Sequence, residues 1–369
     1  MKNAISNWTT LQSLAERGKL RCNLPGDAVR LAPAMNRLPA ADRIEGMLLG
    51  IAIGDALGNT TEGMTPAERM RSCGEIRDYL ANRYAGGRHA GTPTDDTQLS
   101  FWALESMLER GGVEPQDIAD RFSQGTIYGI GGSVTTFLRA YESGAPWYEA
   151  GPDSAGNGAL MRVAPFVLQA AATGGELLFG DIITGSAITH NDSASIASCA
   201  AFAVMLRDLL YASRPPAPSW WVDRFVEIAR EVETDARYTP RGGAFGSFSG
   251  RISQFVLQVV PPALADARPA NVACDNWLSG AFLLETVPSV LYILARHAAD
   301  PEEAIVRAVN DTKDNDTAAA IVGAAAGALH GASALPRRWL DGLTGRTGAS
   351  DDGTVQRLAR AAAERYGTR

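Results

Sequence analysis

The chain has 369 residues, of which 46% are hydrophobic and 20% charged, the composition of a globular protein long enough to bury a core without disulfides. Its 34 Lys and Arg against 41 Asp and Glu give a net charge of −7, which argues against a general nucleic-acid binder because such proteins present a basic surface. No apolar run approaches the ~20 residues that span a bilayer, and no secretory apolar segment is found. We therefore expect a cytoplasmic protein with no nucleic-acid and no membrane partner.

Residues 1–41 differ in charge from the rest of the chain. Their six basic residues against two acidic ones give a local net charge of +4: Lys2, Arg17, Lys19, Arg21, Arg30 and Arg37 against Glu16 and Asp27. Residues 8–18 have the apolar spacing of a short helix, and three prolines interrupt the second half of the segment. We predict that residues 1–41 are an N-terminal extension lying outside the core of a domain formed by residues 42–369. The extension is either a solvated or loosely docked tail or an arm that docks a protein partner.

Helical patterns dominate from residue 42 onward. Apolar periodicity and terminal signals predict helices over 44–58, 95–110, 194–211, 220–234, 283–297, 302–309 and 318–331. Alternating strand patterns are missing, so we predict an all-α fold. The stretches 215–219 and 236–278 are predicted to be irregular, and the second is too long for a simple connector. Its aromatic residues either stack on a ligand or anchor the loop to the protein: Tyr238, Phe245, Phe248 and Trp277.

Two predicted helices carry glycines at every fourth position. They are Gly46, Gly50, Gly54 and Gly58 in the first helix and Gly323, Gly327 and Gly331 in the last. This spacing places each set along one ridge, although each glycine costs about 1 kcal/mol relative to alanine. The ladders therefore predict tight packing against another backbone. Asp55, which lies within the first ladder, is interpreted as a structural residue or one that orients the site.

Two acidic clusters coincide with helix starts, TDDT at residues 94–97 and DNDT at residues 314–317. Helix capping explains one such residue per helix, but it does not explain two carboxylates in each cluster. The positive end of the helix dipole keeps these groups ionised. Carboxylate and hydroxyl oxygens without a neighbouring His or Cys favour Mg²⁺ or Mn²⁺, with Ca²⁺ as a further option. The spacing alone leaves both capping and a shared metal site open.

Five stretches in order give the chain a specific resemblance. They are GMLLGIAIGDALGNTTEG from Gly46, GTPTDDTQLSFWALE from Gly91, GNGALMRVAPF from Gly156, ITHND from Ile188 and AVNDTKDNDTAAAIVGAAAGALHG from Ala308. From about residue 44 to the C-terminus, the sequence resembles the ADP-ribosylglycohydrolase family, which includes ADP-ribosyl-arginine hydrolases. The resemblance implies a single compact all-α domain around a binuclear Mg²⁺ or Mn²⁺ site. It also implies a hydrolase that removes ADP-ribose from modified protein side chains, with arginine as the expected linkage.

The resemblance also implies roles for individual residues. The ligands of two Mg²⁺ or Mn²⁺ ions would be Thr94, Asp95, Asp96, Asp314, Asp316 and Thr317. The candidates for deprotonating water or stabilising the oxocarbenium-like transition state are Glu62, Asp95 and Asp96. Substrate binding would fall to Gly156, Asn157, Gly158 and His190. One departure is Thr312-Lys313, where many relatives have Gly-Gly, and it bears on substrate access.

Some of these residues have simpler interpretations when taken alone. A Gly-Asn-Gly sequence is a common turn, and His190 has the position of a histidine at a helix start. Arg162 either faces a pyrophosphate or forms an ion pair, and the sequence does not choose between these.

Other functions fit the same motifs. The leaving group would differ in a hydrolase of another ADP-ribose linkage. A binding protein of a different class would neutralise an ADP-ribosyltransferase toxin through residues 1–41, as an immunity protein does, with or without hydrolysis. An inactive homologue ranks last because all six ligand positions carry suitable oxygens.

Overall fold

The computed structural model describes the backbone of residues 2–368 and the side chains of residues 7–368. It is 63% helix and 3% strand, which confirms the all-α class. The α-helices of this described part are, in chain order, α1 (Lys2–Glu16), α2 (Ala28–Leu31), α3 (Ala41–Gly58), α4 (Pro66–Cys73), α5 (Asp95–Arg110), α6 (Pro115–Ser123), α7 (Gly132–Glu142), α8 (Trp147–Ala150), α9 (Gly175–Ala187), α10 (Ser193–Tyr211), α11 (Pro218–Val232), α12 (Ile252–Ala265), α13 (Ala270–Asn276), α14 (Leu283–His297), α15 (Pro301–Asp311), α16 (Asn315–His330), α17 (Arg337–Gly342) and α18 (Thr354–Tyr366).

Short elements join several of these helices. A two-residue hairpin pairs β1 (Ala81–Asn82) with β2 (Arg88–His89) in antiparallel register. The 3-10 turns are Asn59–Thr61, Arg83–Ala85, Leu160–Arg162, Ala164–Val167, Gly243–Phe245 and Ala332–Ala334.

The central contact of the fold is the packing of α3 against α16. A Cβ added to Gly50 or Gly54 would lie within 3.0 Å of the carbonyl oxygen of Gly323 or Ala319, so only glycine permits this approach. The prediction of tight helix packing is confirmed. The two helices run antiparallel, because Gly46 meets Gly327 at one end while Gly58 meets Asp316 at the other. The glycine ridge thus brings the end of α3 against the acidic start of α16.

Most predicted helices are found where the sequence placed them. The predictions over 95–110 and 283–297 coincide with α5 and α14, and the other helical predictions overlap observed helices with shifted ends. The prediction that 236–278 is irregular is wrong from residue 252 onward, where the chain forms α12 and α13. The apolar side of α12 is buried at helical spacing, at Ile252, Phe255, Val256, Val259 and Val260. Its two prolines, Pro261 and Pro262, lie on the exposed side.

The aromatic residues of the stretch 236–278 act as anchors. Trp277 is 1% exposed and donates from Nε1 to Ser289 Oγ at 2.8 Å. The Tyr238 hydroxyl donates to Asp192 at 2.9 Å. Phe245 and Phe248 pack against the ring of Phe255. These contacts favour the anchoring interpretation over ligand stacking.

The N-terminal segment packs on the domain, which corrects the prediction that residues 1–41 lie outside the core. Helix α1 contacts α9, and Trp8, Leu11 and Leu14 belong to the hydrophobic core. In α2, Leu31 is also fully buried. The apolar residues of the N-terminal segment at helical spacing were sufficient to form a buried face. The excess of basic charge in the segment obscured this signal in the sequence. The division of the chain at residue 41 stays a prediction.

Among the described helices, α10 has the length and apolar composition of a membrane-crossing segment. However, 94% of that segment is buried inside the protein. The burial identifies α10 as a core helix in this structure.

Candidate active site

The two acidic clusters meet at the junction of α3, α5 and α16. Glu62, which follows the turn after α3, lies beside Asp314 and Asp316 at the start of α16. Carboxylate oxygens of these three residues lie within 4.8 Å of one another. Because Glu62 is about 250 residues from Asp314 in sequence, the α3–α16 packing is what assembles this group of carboxylates.

The first aspartate pair stands at the start of α5. Asp95 lines the same cavity as Glu62 and Asp316. Asp96 is 1% exposed, and its Oδ1 has no hydrogen-bond partner among the described residues. A buried carboxylate oxygen without a partner is costly unless another group compensates it. Thr94 does not line this cavity, and its hydroxyl donates to Asp55 at 2.7 Å.

The electrostatics of the carboxylates require positive charge. Burial, and then the charge of Asp55, raises the pKa of both Asp95 and Asp96 well above the usual range. Burial and the charge of Asp314 raise the pKa of Asp316 well above the usual range. The pKa of Glu62, which is exposed in the cavity, is also raised, by partial burial and by the charge of Asp314. Such shifts report carboxylates crowded in a poorly solvated place. A divalent cation bound by oxygen donors would relieve this repulsion, so the residues present fit the metal that the sequence predicts.

The predicted ligand set and the predicted substrate-binding set share one cavity. It is lined by Glu62, Asp95, Asp314, Asp316 and Thr317 from the first set and by Gly156, Asn157, Gly158 and His190 from the second. A Cβ added to Gly158 would lie 3.0 Å from His190 Cε1, so the glycine lets the loop pass close to the imidazole. The structure therefore brings together all predicted site residues except Thr94 and Asp96, which lie behind the cavity wall. The roles of these residues in binding stay predictions.

His190 is held as a neutral side chain. It is 1% exposed, and burial together with the charge of Arg162 lowers its pKa to about 3. Its Nδ1 pairs with Thr189 Oγ1 at 2.9 Å, and the Arg162 guanidinium donates to the same hydroxyl and to the Gly185 carbonyl. Arg162 thus orients His190 through Thr189, a role the sequence interpretation did not include. A neutral imidazole serves as a hydrogen-bonding group and not as an acid near pH 7.

Asn157 connects the glycine loop to the acidic cluster. Its amide nitrogen donates to Asp314 Oδ2 at 2.6 Å and to Thr286 Oγ1 at 2.9 Å. Its backbone N–H donates to the carbonyl of Ala281 and is not free to bind a phosphate. The side chain therefore positions a predicted metal ligand.

Sequence reasoning missed part of the cavity wall. Gly131, Gly132 and Ser133, at the start of α7, also line the cavity. Ser133 Oγ lies 2.7 Å from Ser154 Oγ. The signal was a Gly-Gly-Ser sequence at a helix N-terminus, where backbone N–H groups favour anions.

A second cavity opens beside the first and shares Glu62 and Asp314 with it. Its wall also includes Arg241, Glu285 and Lys313. Arg241 is committed to Glu285 through two hydrogen bonds of 2.8 and 2.7 Å. The exposed Lys313 side chain makes no ion pair with the described residues. The carboxylates are thus accessible from two sides, one lined by glycines and the other by charged side chains.

Comparisons with known proteins agree with this arrangement. The ADP-ribosylglycohydrolase family model matches residues 36–369. The ADP-ribosyl-dinitrogen reductase glycohydrolase of Rhodospirillum rubrum is 26% identical over 82% of this chain and 90% of its own length. The ADP-ribosylarginine hydrolase Tri1 of Serratia proteamaculans is 25% identical over 91% of this chain and 87% of its own. A solved structure described as an ADP-ribosylglycohydrolase-related protein complex superposes with a TM-score of 0.61 at 26% identity, covering 88% of this chain and 98% of that one.

Proposed function

Because the chain belongs to the ADP-ribosylglycohydrolase family, whose named relatives are hydrolases that remove ADP-ribose, we propose that it is a metal-dependent hydrolase releasing ADP-ribose from modified arginine side chains of proteins. The observation that carries the proposal is the group formed by Glu62, Asp314 and Asp316, whose oxygens lie within 4.8 Å of one another. It lies in a cavity that is also lined by glycines and a neutral histidine.

The residues that would hold Mg²⁺ or Mn²⁺ are the carboxylates of both clusters with the Thr317 hydroxyl. The orphaned Asp96 oxygen and the raised pKa values of Asp95 and Asp316 support a cation there. Thr94 has its hydroxyl proton directed to Asp55, which leaves its oxygen lone pairs for a ligand. When bound, such ions supply positive charge that orients ribose hydroxyls and acidifies water.

Hydrolysis of the N-glycosidic bond needs a base for water and anionic groups near the anomeric carbon. Glu62 is suited to be the base, because burial and the charge of Asp314 raise its pKa. In this scheme the C–N bond breaks as a water oxygen bonds to the anomeric carbon. Glu62 accepts the water proton and returns it to the departing nitrogen, so that ADP-ribose and an unmodified side chain are formed. Asp95 and Asp96 would stabilise the positive charge that develops on the sugar.

The choice of arginine rests on two considerations. One of the relatives carries arginine in its name. Two carboxylates that line the second cavity, those of Glu62 and Asp314, favour a cationic leaving group such as guanidinium.

A second candidate is hydrolysis of a neutral linkage, such as serine-linked or O-acyl ADP-ribose. The observation that favours it is Lys313, an exposed lysine that lines the same cavity as Glu62 and Asp314 and whose positive charge would repel guanidinium. By contrast, nothing in the described residues favours the toxin-docking alternative. Basic side chains of the described N-terminal segment pair with the rest of the protein, as Lys19 does with Glu149, Arg21 with Asp153 and Arg30 with Glu227.

The test is release of ADP-ribose from two substrates, an arginine-ADP-ribosylated protein and a serine-ADP-ribosylated peptide. Each is assayed with Mg²⁺, with Mn²⁺ and with excess chelator, using the wild type, Asp316→Asn and the exposed-site control Asp341→Asn. We expect metal-dependent release from arginine, a loss of at least about 100-fold in Asp316→Asn, and none in the control. Release from serine alone would establish the second candidate. No release from either substrate by folded protein would contradict both.

A further inference from the structure

Three arginines of the described chain have no exposed surface, namely Arg69, Arg162 and Arg207. Arg162 lies behind His190. Arg207 lies far from the site, where it donates to the carbonyls of Ala171 and Pro33. Arg69, on α4, lies directly behind the carboxylate group. All of its hydrogen bonds go to backbone or threonine oxygens, so it serves the chain around it and not one acidic partner.

Three of these hydrogen bonds hold the chain on both sides of Glu62. Arg69 Nε donates to Thr61 Oγ1 at 3.0 Å, and Nη2 donates to the carbonyls of Thr61 at 3.3 Å and Met64 at 3.0 Å. The Glu62 carboxylate itself lies in both cavity walls and makes no hydrogen bond with the described residues. Its place is therefore set by its backbone, and the backbone is held by Arg69.

The remaining bonds hold the opposite side of the group. Arg69 Nη1 donates to the carbonyls of Asn310 at 3.1 Å and Thr312 at 2.9 Å. These carbonyls end α15, where a helix lacks internal donors and favours positive charge. The chain reaches Asp314 two residues later. One guanidinium thus joins the segment that carries Glu62 to the segment that carries Asp314 and Asp316.

Two further hydrogen bonds lie at the seam between these two segments, where residues 61–63 meet residues 313–315. Asn315 Nδ2 donates to Thr61 Oγ1 at 3.0 Å, and the Gly63 N–H donates to the Lys313 carbonyl at 3.2 Å. Both join residues 61–63 to residues 313–315. Removing the guanidinium would leave these two bonds to hold the seam.

We propose that Arg69 is the positioning residue that fixes Glu62 opposite Asp314 and Asp316. Arginine suits this role because its planar fork offers five N–H donors in fixed directions. A lysine at the same place has one nitrogen with three donors and does not reach four carbonyls and a hydroxyl at once. Arg69 is buried and touches no reacting atom. It nevertheless sets the distance between Glu62, the proposed base, and the second acidic cluster.

The experiment compares Arg69→Lys with Arg207→Lys, a matched loss of a buried guanidinium remote from the site. The kinetic part rests on the proposed function. We expect Arg69→Lys to lower kcat by about 100-fold, as a displacement of about 1 Å does. The KM should change less than threefold, since the glycine wall and His190 are untouched. Arg207→Lys should lower the Tm without lowering kcat.

Hydrogen–deuterium exchange gives a readout that needs no activity. In Arg69→Lys, we expect faster exchange in peptides covering residues 59–65 and 310–315, with no change around His190. In Arg207→Lys, those peptides should exchange at the wild-type rate. If the wild type releases no ADP-ribose, the proposed function fails, while exchange still decides whether Arg69 holds the seam.

A second variant covers the case in which Arg69→Lys does not fold. Thr61→Val removes the hydroxyl that accepts from Arg69 and Asn315 while keeping the side-chain shape. It should reproduce the kcat loss and the faster local exchange to a smaller extent. Wild-type exchange in these peptides for both folded variants would overturn the proposal. A kcat of Arg69→Lys within twofold of wild type would also overturn it. So would a kcat loss in Arg207→Lys equal to that in Arg69→Lys.

Discussion

Asp55 accepts hydrogen bonds from the hydroxyls of both Thr94 and Thr97, the threonines that flank the first aspartate pair. The distances are 2.7 Å from Thr94 Oγ1 and 2.6 Å from Thr97 Oγ1. The backbone N–H groups of the same threonines also donate to it, at 2.8 and 3.1 Å. Asp55 is fully buried in α3, so this helix orients the first turn of α5. The sequence interpretation of Asp55 as an orienting residue agrees with this geometry.

Replacing Asp55 by Asn should chiefly weaken metal binding at the site. The amide would direct an N–H₂ group at donors that now point to a carboxylate, and each buried donor left without an acceptor costs about 1–3 kcal/mol. We expect Mn²⁺ affinity to fall about 10–100-fold, as with other residues that orient metal ligands, together with a lower Tm. Isothermal titration with Mn²⁺ and thermal unfolding measure the two effects.

The control for this variant is Glu45→Gln, which removes a carboxylate from the same helix at its other end. It should leave Mn²⁺ affinity unchanged. Equal Mn²⁺ affinity in wild type and Asp55→Asn would show that Asp55 does not orient the first aspartate pair.

The glycine ridge makes a prediction about stability. Gly50→Ala places a methyl group within 3.0 Å of the Gly323 carbonyl oxygen, so the two central helices must move apart. We expect a loss of about 3 kcal/mol or more in the free energy of unfolding, at the upper end for overpacked cores. Urea denaturation measures it. In Gly26→Ala, the new Cβ meets nothing within 4 Å, and stability should be unchanged or slightly raised. Equal stability of the two variants would contradict the close approach.

Features encoded by neighbouring residues could be predicted from the sequence, whereas features that depend on tertiary contacts could not. The starts of α5 and α16 are each marked by adjacent residues in the sequence, so both acidic clusters and the helices that carry them were predictable. The glycine spacing likewise predicted a close helix pair without naming the partner. Arg69 was not predictable, because within MTPAERMRSC it looks like a surface charge. Only the tertiary structure brings the carbonyls of Asn310 and Thr312 to it.

One wrong prediction has a clear physical cause. The Gly- and Pro-rich composition of 236–278 hid the helical spacing of the buried face of α12, because its prolines point to solvent. The sequence likewise holds no sign that the Asn157 amide would reach Asp314. Contacts between residues far apart in the chain are set by packing, which no local pattern contains.

The N-terminal segment should influence ligand binding through Asn191. The Asn191 side chain donates to the Lys19 carbonyl at 2.8 Å and accepts from the Arg21 N–H at 3.0 Å, and His190 precedes it directly. Asn191→Ala removes both bonds, so we expect a stability loss of about 1–3 kcal/mol and several-fold weaker ADP-ribose binding in isothermal titration.

Arg21→Ala is the matched control for Asn191→Ala. It removes an exposed ion pair with Asp153, which is worth little, and keeps the backbone N–H that bonds Asn191. ADP-ribose affinity should then stay at the wild-type value. Equal losses in both variants would mean that charge on the N-terminal segment, and not the amide contact, matters for binding.

Asp181 should make stability depend on pH. It is fully buried under α1, where Asn7 Nδ2 donates to its Oδ1 at 2.8 Å and its Oδ2 has no partner among the described residues. Burial raises its pKa to about 7, against the opposing effect of the Asn7 hydrogen bond. Between the unfolded value of about 4 and 7, the folded state therefore binds more protons than the unfolded state. The free energy of unfolding falls as pH rises through this window and is level above it, by at most about 4 kcal/mol.

Asp181→Asn mimics the protonated acid and should remove this dependence. Its amide can keep an oxygen toward Asn7, so near pH 4 we expect its stability to match wild type within about 1 kcal/mol. Its advantage should grow as pH rises and reach about 2–4 kcal/mol at pH 8. Urea denaturation at several pH values measures the difference. Asp223→Asn, on the exposed side of α11, removes one charge without burial and should track wild type. A constant difference between Asp181→Asn and wild type from pH 4 to 8 would show that Asp181 is already ionised in the folded protein at pH 4.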